Sequence, residues 1–289
     1  MNINPQYLNE LIDRCLEEDV GPGDMTTNSV VPPELESTGH IKAKQDGVVA
    51  GLPVARAVFG RLDPELNFIP LVEEGAEVAA GTLLARLEGR AGTILTGERL
   101  ALNFLQRLSG VATLTYRSTR LVKDYPVRIV DTRKTTPGLR YLEKYAVRVG
   151  GGHNHRLGLY DAVLIKDNHI KAAGGIRQAV ERARRAVPHT AKIEVEAEDL
   201  AGVAEALAAG ADIIMLDNMN TADMSEAARL VNGRALLEAS GGVTADTLPA
   251  VAATGVNIIS VGALTHSAPA LDISLDLGQL KPMRNDIKL

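Results

Sequence analysis

The sequence predicts an α/β protein whose C-terminal half is an incomplete, irregular barrel of parallel strands. Three observations carry this. From about residue 127, short apolar runs alternate with helical patterns, the rhythm of strands and helices wound around a parallel sheet. Six or seven such strands are visible, fewer than the eight of a complete (β/α)8 barrel. Before them, from about Gly39 to Leu95, short alternating runs broken by glycine mark a region of different architecture.

At 289 residues the chain is long enough for one large domain or two moderate ones. It has no low-complexity segment, no apolar run long enough to span a membrane, and no signal-peptide layout in MNINPQYLNELIDRC. The single cysteine, Cys15, excludes an internal disulfide framework and a cysteine-rich zinc site. A formal charge of -5 with few aromatics argues against a nucleic-acid partner, which needs an extended basic footprint. The expectation is a cytoplasmic enzyme without membrane partners.

In chain order, Asn4 and Pro5 start a helix with Leu8, Leu11, Ile12, Cys15 and Leu16 on one face, stopped by GPGD at 21–24. Cys15 on that stripe reads as a buried thiol. IKAKQDGVVAGL, PVARAVFGRL and LVEEGAEVAAGTLLARLEG suggest strands, turns and one short helix. EEGAEVAAGTLLARLEG also resembles the hammerhead half of a lipoyl or biotinyl carrier. A carrier would modify Lys42 or Lys44, but both lie in a strand pattern rather than at a hairpin tip. A long helix is expected over Thr96–Lys123, with Gly110 a place for a break or bend, and Arg99 lies in its first turns.

The barrel strands are expected at Val127–Val130, Ala162–Ile165, Ile193–Val195, Ile213–Leu216, Ala235–Leu237 and Ile258–Val261. Helical patterns fill the gaps at Leu139–Val149, Ile176–Val187, Leu200–Ala209, Ala222–Val231 and Thr244–Ala253. In such barrels chemistry sits where strands end. The strand ends here are polar: Asp131, Arg133 and Lys134; Lys166, Asp167 and Asn168; Glu194 and Glu196; Asp217 and Asn218; Glu238 and Ser240; Ser260 and Gly262.

One stretch stands out by charge. Between Asp131 and His169, seven Lys and Arg face four acids in an otherwise acidic protein, with three histidines and Gly150-Gly151-Gly152. Such a segment is suited to an anionic ligand. Arg133, Lys134, Arg156 and Lys166, with His155, suit carboxylates and phosphates, arginine as a planar fork and lysine as a point charge. Glu196 and Asp217 suit Mg2+ or sugar hydroxyls. Glu194 shares the strand face of Glu196, so either could point inward. Ser240-Gly241-Gly242 before a helix and Val261-Gly262-Ala263 after the last strand offer bare N–H groups to a phosphate. His153 and His155 lack an evident third metal ligand. His169 reads as a loop residue shaping the mouth, and His40, His189 and His266 as structural.

DTRKTTPGLRYLEKYAVRVGGGHNHRLGLYDAVLIKDNH resembles the quinolinate phosphoribosyltransferase family, as do EEDVGPGDMTT, TGERLALNFLQRLSG, IEVE, MLDN, EASGG and SVGALTHSAPALDISLD. The resemblance spans nearly the whole chain. It implies an N-terminal α/β sandwich over 1–111, a seven-stranded α/β barrel over 112–269, and a tail, 270–289, packed on the first domain. The implied reaction joins quinolinate to 5-phosphoribosyl-1-diphosphate, releasing diphosphate and CO2 and giving nicotinate mononucleotide for NAD synthesis. The resemblance assigns the quinolinate carboxylates to Arg133, His155, Arg156 and Lys166, with Arg99 supplied by the other subunit of a homodimer or of a higher oligomer. It assigns the phosphoribosyl diphosphate and Mg2+ to Lys134, Glu196 and Asp217, all three catalytic, and places Thr132 among the substrate-binding residues. It assigns the 5-phosphate to Ser240, Gly241, Gly242, Val261, Gly262 and Ala263. Rival readings are a related phosphoribosyltransferase acting on nicotinate, and an aldolase-type barrel with Lys166 as Schiff-base nucleophile.

Overall fold

The structure, a computed structural model, describes residues 3–281. The chain divides into two compact units, Met1–Leu114 with Ala268–Leu289, and Thr115–Ser267.

The first unit opens with helix α1 (Pro5–Asp19), whose free N–H groups at Gln6 and Tyr7 are taken by the Asn4 side chain. Leu8 and Ile12 are buried, while Cys15 is only half-buried. Burial still pushes the Cys15 thiol pKa up, which disfavours the nucleophilic thiolate. Asp24 caps α2 (Met25–Val30). Then follow β1 (Glu36–Ala43), β2 (Gly47–Val48), α3 (Leu52–Leu62), β3 (Asn67–Pro70), β4 (Glu77–Val78), β5 (Leu83–Arg90) and α4 (Ala91–Leu121), which contributes to both units.

Strand β1 alternates buried and half-buried residues, so Ile41 and Ala43 enter the core while Lys42 does not. Lys42 pairs with Leu83 inside the sheet, whereas Lys44 lies one residue past the end of β1, exposed in a bend and not in the expected strand. Helix α4 begins five residues before the expected Thr96 and passes Gly110 without a break. A side chain at Gly110 would overlap the Pro269 carbonyl, so glycine there permits a close approach, not a bend.

In the second unit, β6 (Arg128–Val130), α5 (Arg140–Val149), β7 (Val163–Ile165), α6 (Asp167–Ala173), α7 (Ile176–Ala186), β8 (Ile193–Ala197), α8 (Leu200–Ala208), β9 (Ile213–Asp217), α9 (Thr221–Val231), β10 (Leu236–Ser240), α10 (Leu248–Ala252), β11 (Ile258–Ser260) and α11 (Ala263–His266) follow in turn. Six parallel strands run in the order β6-β11-β10-β9-β8-β7. An isolated parallel bridge between Val130 and His153 adds a seventh run beside β6. Ile193, Val195, Ile214, Leu216 and Ile259 are fully buried between sheet and helices, as both faces of a parallel sheet require.

Helix α6 replaces the expected loop at Asp167–His169, and α10 starts at Leu248 rather than Thr244. The last strand of the chain, β12 (Ile273–Lys281), returns to the first unit and pairs antiparallel with β1, giving the order β12-β1-β5-β3. Residues 282–289 of the expected tail lie outside the described residues.

Candidate active site

The site begins at a buried ion pair behind the strand ends. Asp131 follows β6 and is fully buried; Lys144 on α5 is equally buried and donates to it. The Asp131 carboxylate also accepts from Asn154 Nδ2 at 2.6 Å and from the His155 backbone N–H at 2.9 Å. Lys144 Nζ donates to the His155 carbonyl at 2.9 Å, and Asn154 Nδ2 to the Lys144 carbonyl at 2.9 Å. Each buried charge thus has several partners, which is what makes its burial tolerable. Burial pushes the Asp131 pKa up and that of Lys144 down, each opposed by its partner.

The rest of α5 holds the neighbouring loops. Arg140 donates to the Leu157 carbonyl at 3.2 Å and to Thr135 Oγ1 at 3.0 Å. Glu143 accepts from Thr136 N–H at 3.0 Å and from its hydroxyl at 2.7 Å. Arg148 donates to the Gly152 carbonyl at 3.1 Å. Arg140, Glu143 and Arg148 of α5 therefore fasten both strand-end segments.

A cavity of about 620 Å³ opens at these strand ends. Its walls carry Thr132, Arg133, Lys134, His155, Arg156 and Lys166 from the first segments. Glu196, Asp217, Ser240, Gly241 and Gly242 come from later strands. Leu164, Met215, Asn218, Glu238 and Ser260 complete the lining. A second cavity, of about 540 Å³, is walled largely by Leu52, Pro53, Phe68, Pro70, Leu71 and Val72 in the first unit and has no comparable ring of convergent charges.

Both glutamates of β8 point inward, at different depths. Glu194 is buried, with its Oε2 3.1 Å from His155 Nε2, and Glu238 Oε1 is 3.5 Å from the same nitrogen. His155 Nδ1 accepts the Arg156 backbone N–H at 2.7 Å. Both ring nitrogens are therefore engaged within the protein, the Nδ1 contact fitting a ring that carries its proton on Nε2. Burial disfavours the charged ring, but the two acids outweigh it and raise the pKa. A second proton would replace the Nδ1 contact. Glu196 sits nearer the mouth, 3.4 Å from Lys166 Nζ. Burial raises its pKa, Lys166 opposes this, and the Asp217 charge adds to it. An ammonium held by a carboxylate is a poor start for Schiff-base chemistry.

Arg156 donates to the Ala162 carbonyl at 3.1 Å. Burial, then the Arg133 charge, lower its pKa. Arg133 Nε is buried without a partner, a cation holding bonding capacity in reserve. His169 lies on α6, where its Nδ1 accepts the Lys166 N–H at 2.9 Å, so it fixes the Lys166 backbone.

The glycine turns differ from expectation in one respect. Gly241 and Gly242 have φ +93° and +61°, and α10 begins six residues beyond them, so they form a turn and not a helix start. A side chain at Gly241 would overlap Asn218 Oδ1. Val261-Gly262-Ala263 runs into the four-residue α11. These three residues do not line the cavity, but a Cβ at Gly262 would lie 3.3 Å from Lys134 Cδ, and Thr265 donates to the Lys134 carbonyl at 2.8 Å. Arg99 is exposed on α4 in the first unit.

Residues 24–109 match the family model for the quinolinate phosphoribosyl transferase N-terminal domain, and residues 111–276 match that for the C-terminal domain. The chain belongs to the quinolinate phosphoribosyl transferase family. It is similar to a probable nicotinate-nucleotide pyrophosphorylase [carboxylating] of Bacillus subtilis (strain 168), 46% identical over 275 residues and 95% of each chain. The corresponding Synechocystis sp. protein is 48% identical over 271 residues, 92% of this chain and 91% of that one. Among solved structures, a nicotinate-nucleotide pyrophosphorylase from Francisella tularensis superposes with TM-score 0.92 at 39% identity, covering 96% of this chain and 98% of that chain. NadC from Streptococcus pyogenes gives 0.93 at 41%, covering 97% and 99%.

Within this quinolinate phosphoribosyl transferase family member, sequence reasoning undervalued three residues. Glu238 and Ser260 stand at strand ends, where their position was a usable signal. Asn154 had none: an amide between two histidines reveals its partner only in three dimensions.

Proposed function

We propose that this protein transfers the phosphoribosyl group of 5-phosphoribosyl-1-diphosphate to quinolinate with loss of CO2, giving nicotinate mononucleotide and diphosphate in NAD synthesis. One observation carries the reading: Arg133, Lys134, Arg156 and Lys166 line the same cavity as Glu196 and Asp217. Both substrates are polyanions that would repel each other in a single pocket without such cations.

Arg133, Arg156 and Lys166 would take the quinolinate carboxylates. His155, its ring nitrogens already committed, holds the Arg156 main chain and backs this wall. Lys134, with Thr132, would take the diphosphate, and the turns at Ser240–Gly242 and Val261–Ala263 the 5-phosphate. Glu196 and Asp217 face one cavity, and burial, with the Asp217 charge, raises the Glu196 pKa against the Lys166 ammonium, so two hard oxygen donors stand close enough to feel each other. That donor set fits Mg2+, which when bound would neutralise diphosphate charge.

Displacing diphosphate from the ribose carbon passes through an oxocarbenium-like state, as in glycoside cleavage. No nucleophilic side chain is required. The residues align the pyridine nitrogen with that carbon, stabilise the leaving charge and exclude water. Once the nitrogen is quaternary, the ring can accept the electron pair left by CO2.

A homodimer, in which Arg99 of one subunit reaches the site of the other, and a cytoplasmic location complete the reading. Among the described residues no helix is long and apolar enough to cross a membrane. The test is incubation with quinolinate, phosphoribosyl diphosphate and Mg2+, following nicotinate mononucleotide, diphosphate and CO2. Product from nicotinate but none from quinolinate would overturn the assignment.

A further inference from the structure

The reaction proposed above needs a proton that neither substrate carries. When the C2 carboxylate leaves as CO2, the electron pair of the broken bond stays on C2, and that carbon must gain one proton. The assigned binding groups leave one buried acid of the cavity unused. Glu238 lines the cavity from β10, its side chain is 2% exposed, and its Oε1 makes no hydrogen bond.

Its surroundings set its charge state. Glu194 faces it from β8, His155 from the segment beside β6, and Ser260 from β11, while Met215 is its neighbour on β9. One donor or acceptor atom from each of His155, Glu194 and Glu238 lies within 4.8 Å of the other two. Two carboxyl groups this close, both removed from water, retain a proton between them. His155 Nε2 is nearer to Glu194, at 3.1 Å against 3.5 Å, so its N–H compensates Glu194 and leaves the proton to Glu238. Burial first, and the Glu194 charge second, push the Glu238 pKa up to about 8. At neutral pH the wall therefore presents a carboxylic acid to the same cavity as the cations assigned to the substrate carboxylates.

We propose that Glu238 is the acid that protonates C2 of the pyridine ring as CO2 departs. This rests on the quinolinate reading. The C2–carboxyl bond breaks with its electron pair left on C2. The Glu238 O–H bond breaks towards oxygen, and the new C2–H bond forms. Glu238 is left as a carboxylate, and water entering after product release returns its proton.

Microscopic reversibility supplies a test on the unmodified enzyme. Incubated with nicotinate mononucleotide in D2O, the wild-type protein should exchange the C2 hydrogen, read by proton NMR, about 100-fold or more faster than free nucleotide, the lower end of general acid–base effects. Glu238→Gln, which keeps the side-chain shape, should lose that exchange. With quinolinate and phosphoribosyl diphosphate it should release more diphosphate than nicotinate mononucleotide, the difference appearing by mass as the mononucleotide that retains its carboxyl. Absence of exchange by the wild type would overturn the proposal. So would a variant that keeps the wild-type rate with equal diphosphate and product, or one that loses both equally. Failure of the wild type to release diphosphate from quinolinate would instead remove the substrate reading itself.

Discussion

Lys144 Nζ and the Asp131 carboxylate form an ion pair whose side chains are 1% and 0% exposed, directly behind the His155–Arg156 segment. Removing one partner leaves an uncompensated buried charge. Lys144→Met should therefore destabilise the fold by about 3–5 kcal/mol, whereas Lys144→Met with Asp131→Leu should cost less than the sum of the two single changes. Urea unfolding of the three variants reads this, and additive costs would show that the pair is not coupled.

Arg133→Ala and Lys134→Ala each remove a charge from the cavity wall. A loss of roughly 2–5 kcal/mol of transition-state stabilisation is expected, about 30-fold to several thousand-fold in kcat/KM. The two should differ in kind, Arg133→Ala acting on quinolinate and Lys134→Ala on phosphoribosyl diphosphate. Near-normal turnover in either would remove that residue from the site.

Glu238 makes the stability of the fold depend on pH. Its pKa rises from an ordinary 4.5 to about 8 on folding, so the folded state favours the protonated acid. That contribution is fully present below about pH 4.5 and is lost as pH rises through about 8. Unfolding midpoints of the wild type measured against Glu238→Gln should fall relative to the variant across this window and level off above it. A constant difference would place the carboxyl in an ordinary ionised state.

Gly241 holds φ +93° with Asn218 Oδ1 in the space a side chain would fill, whereas Gly60 on α3 has nothing within 4 Å. Gly241→Ala should therefore raise KM for phosphoribosyl diphosphate and lower thermal stability. Gly60→Ala should leave activity alone and stabilise by about 0.4–1 kcal/mol. Equal effects would mean that the turn tolerates a side chain.

If Arg99 acts across a two-fold interface, two inactive variants should complement each other. Mixed in equal amounts and allowed to exchange subunits, Arg99→Ala and Lys134→Ala should recover about a quarter of wild-type activity, because half the dimers are mixed and each has one complete site. No recovery, with exchange shown by native mass spectrometry, would place Arg99 in its own subunit's site.

The barrel strands were legible because Ile129, Ile193, Ile214, Leu237 and Ile259 sit in apolar runs that a two-sided buried sheet demands. Helix α6 was not, since none of its residues is buried and no apolar stripe marks it. Strand β10 extends to Ser240 past the expected Leu237 because the inward Glu238 interrupts the apolar pattern. The site's charged ring was legible from strand ends. The interior place of Lys144 was not: in one dimension a lysine on a helix looks solvated, and its partner lies 13 residues away.

The six-stranded sheet has β6 and β7 at its two edges, and the cationic stretch from Asp131 onward is the chain that runs between them. The rung that β6 gains there, at His153, and the Asp131 contacts to Asn154 and His155 come from consecutive residues. This seam at the β6 edge thus also carries the Asp131 contacts that support the anion site. Hydrogen exchange should find the amides of His153 and His155 opening together, and a variant that frees this seam should lose its substrates before it loses its core.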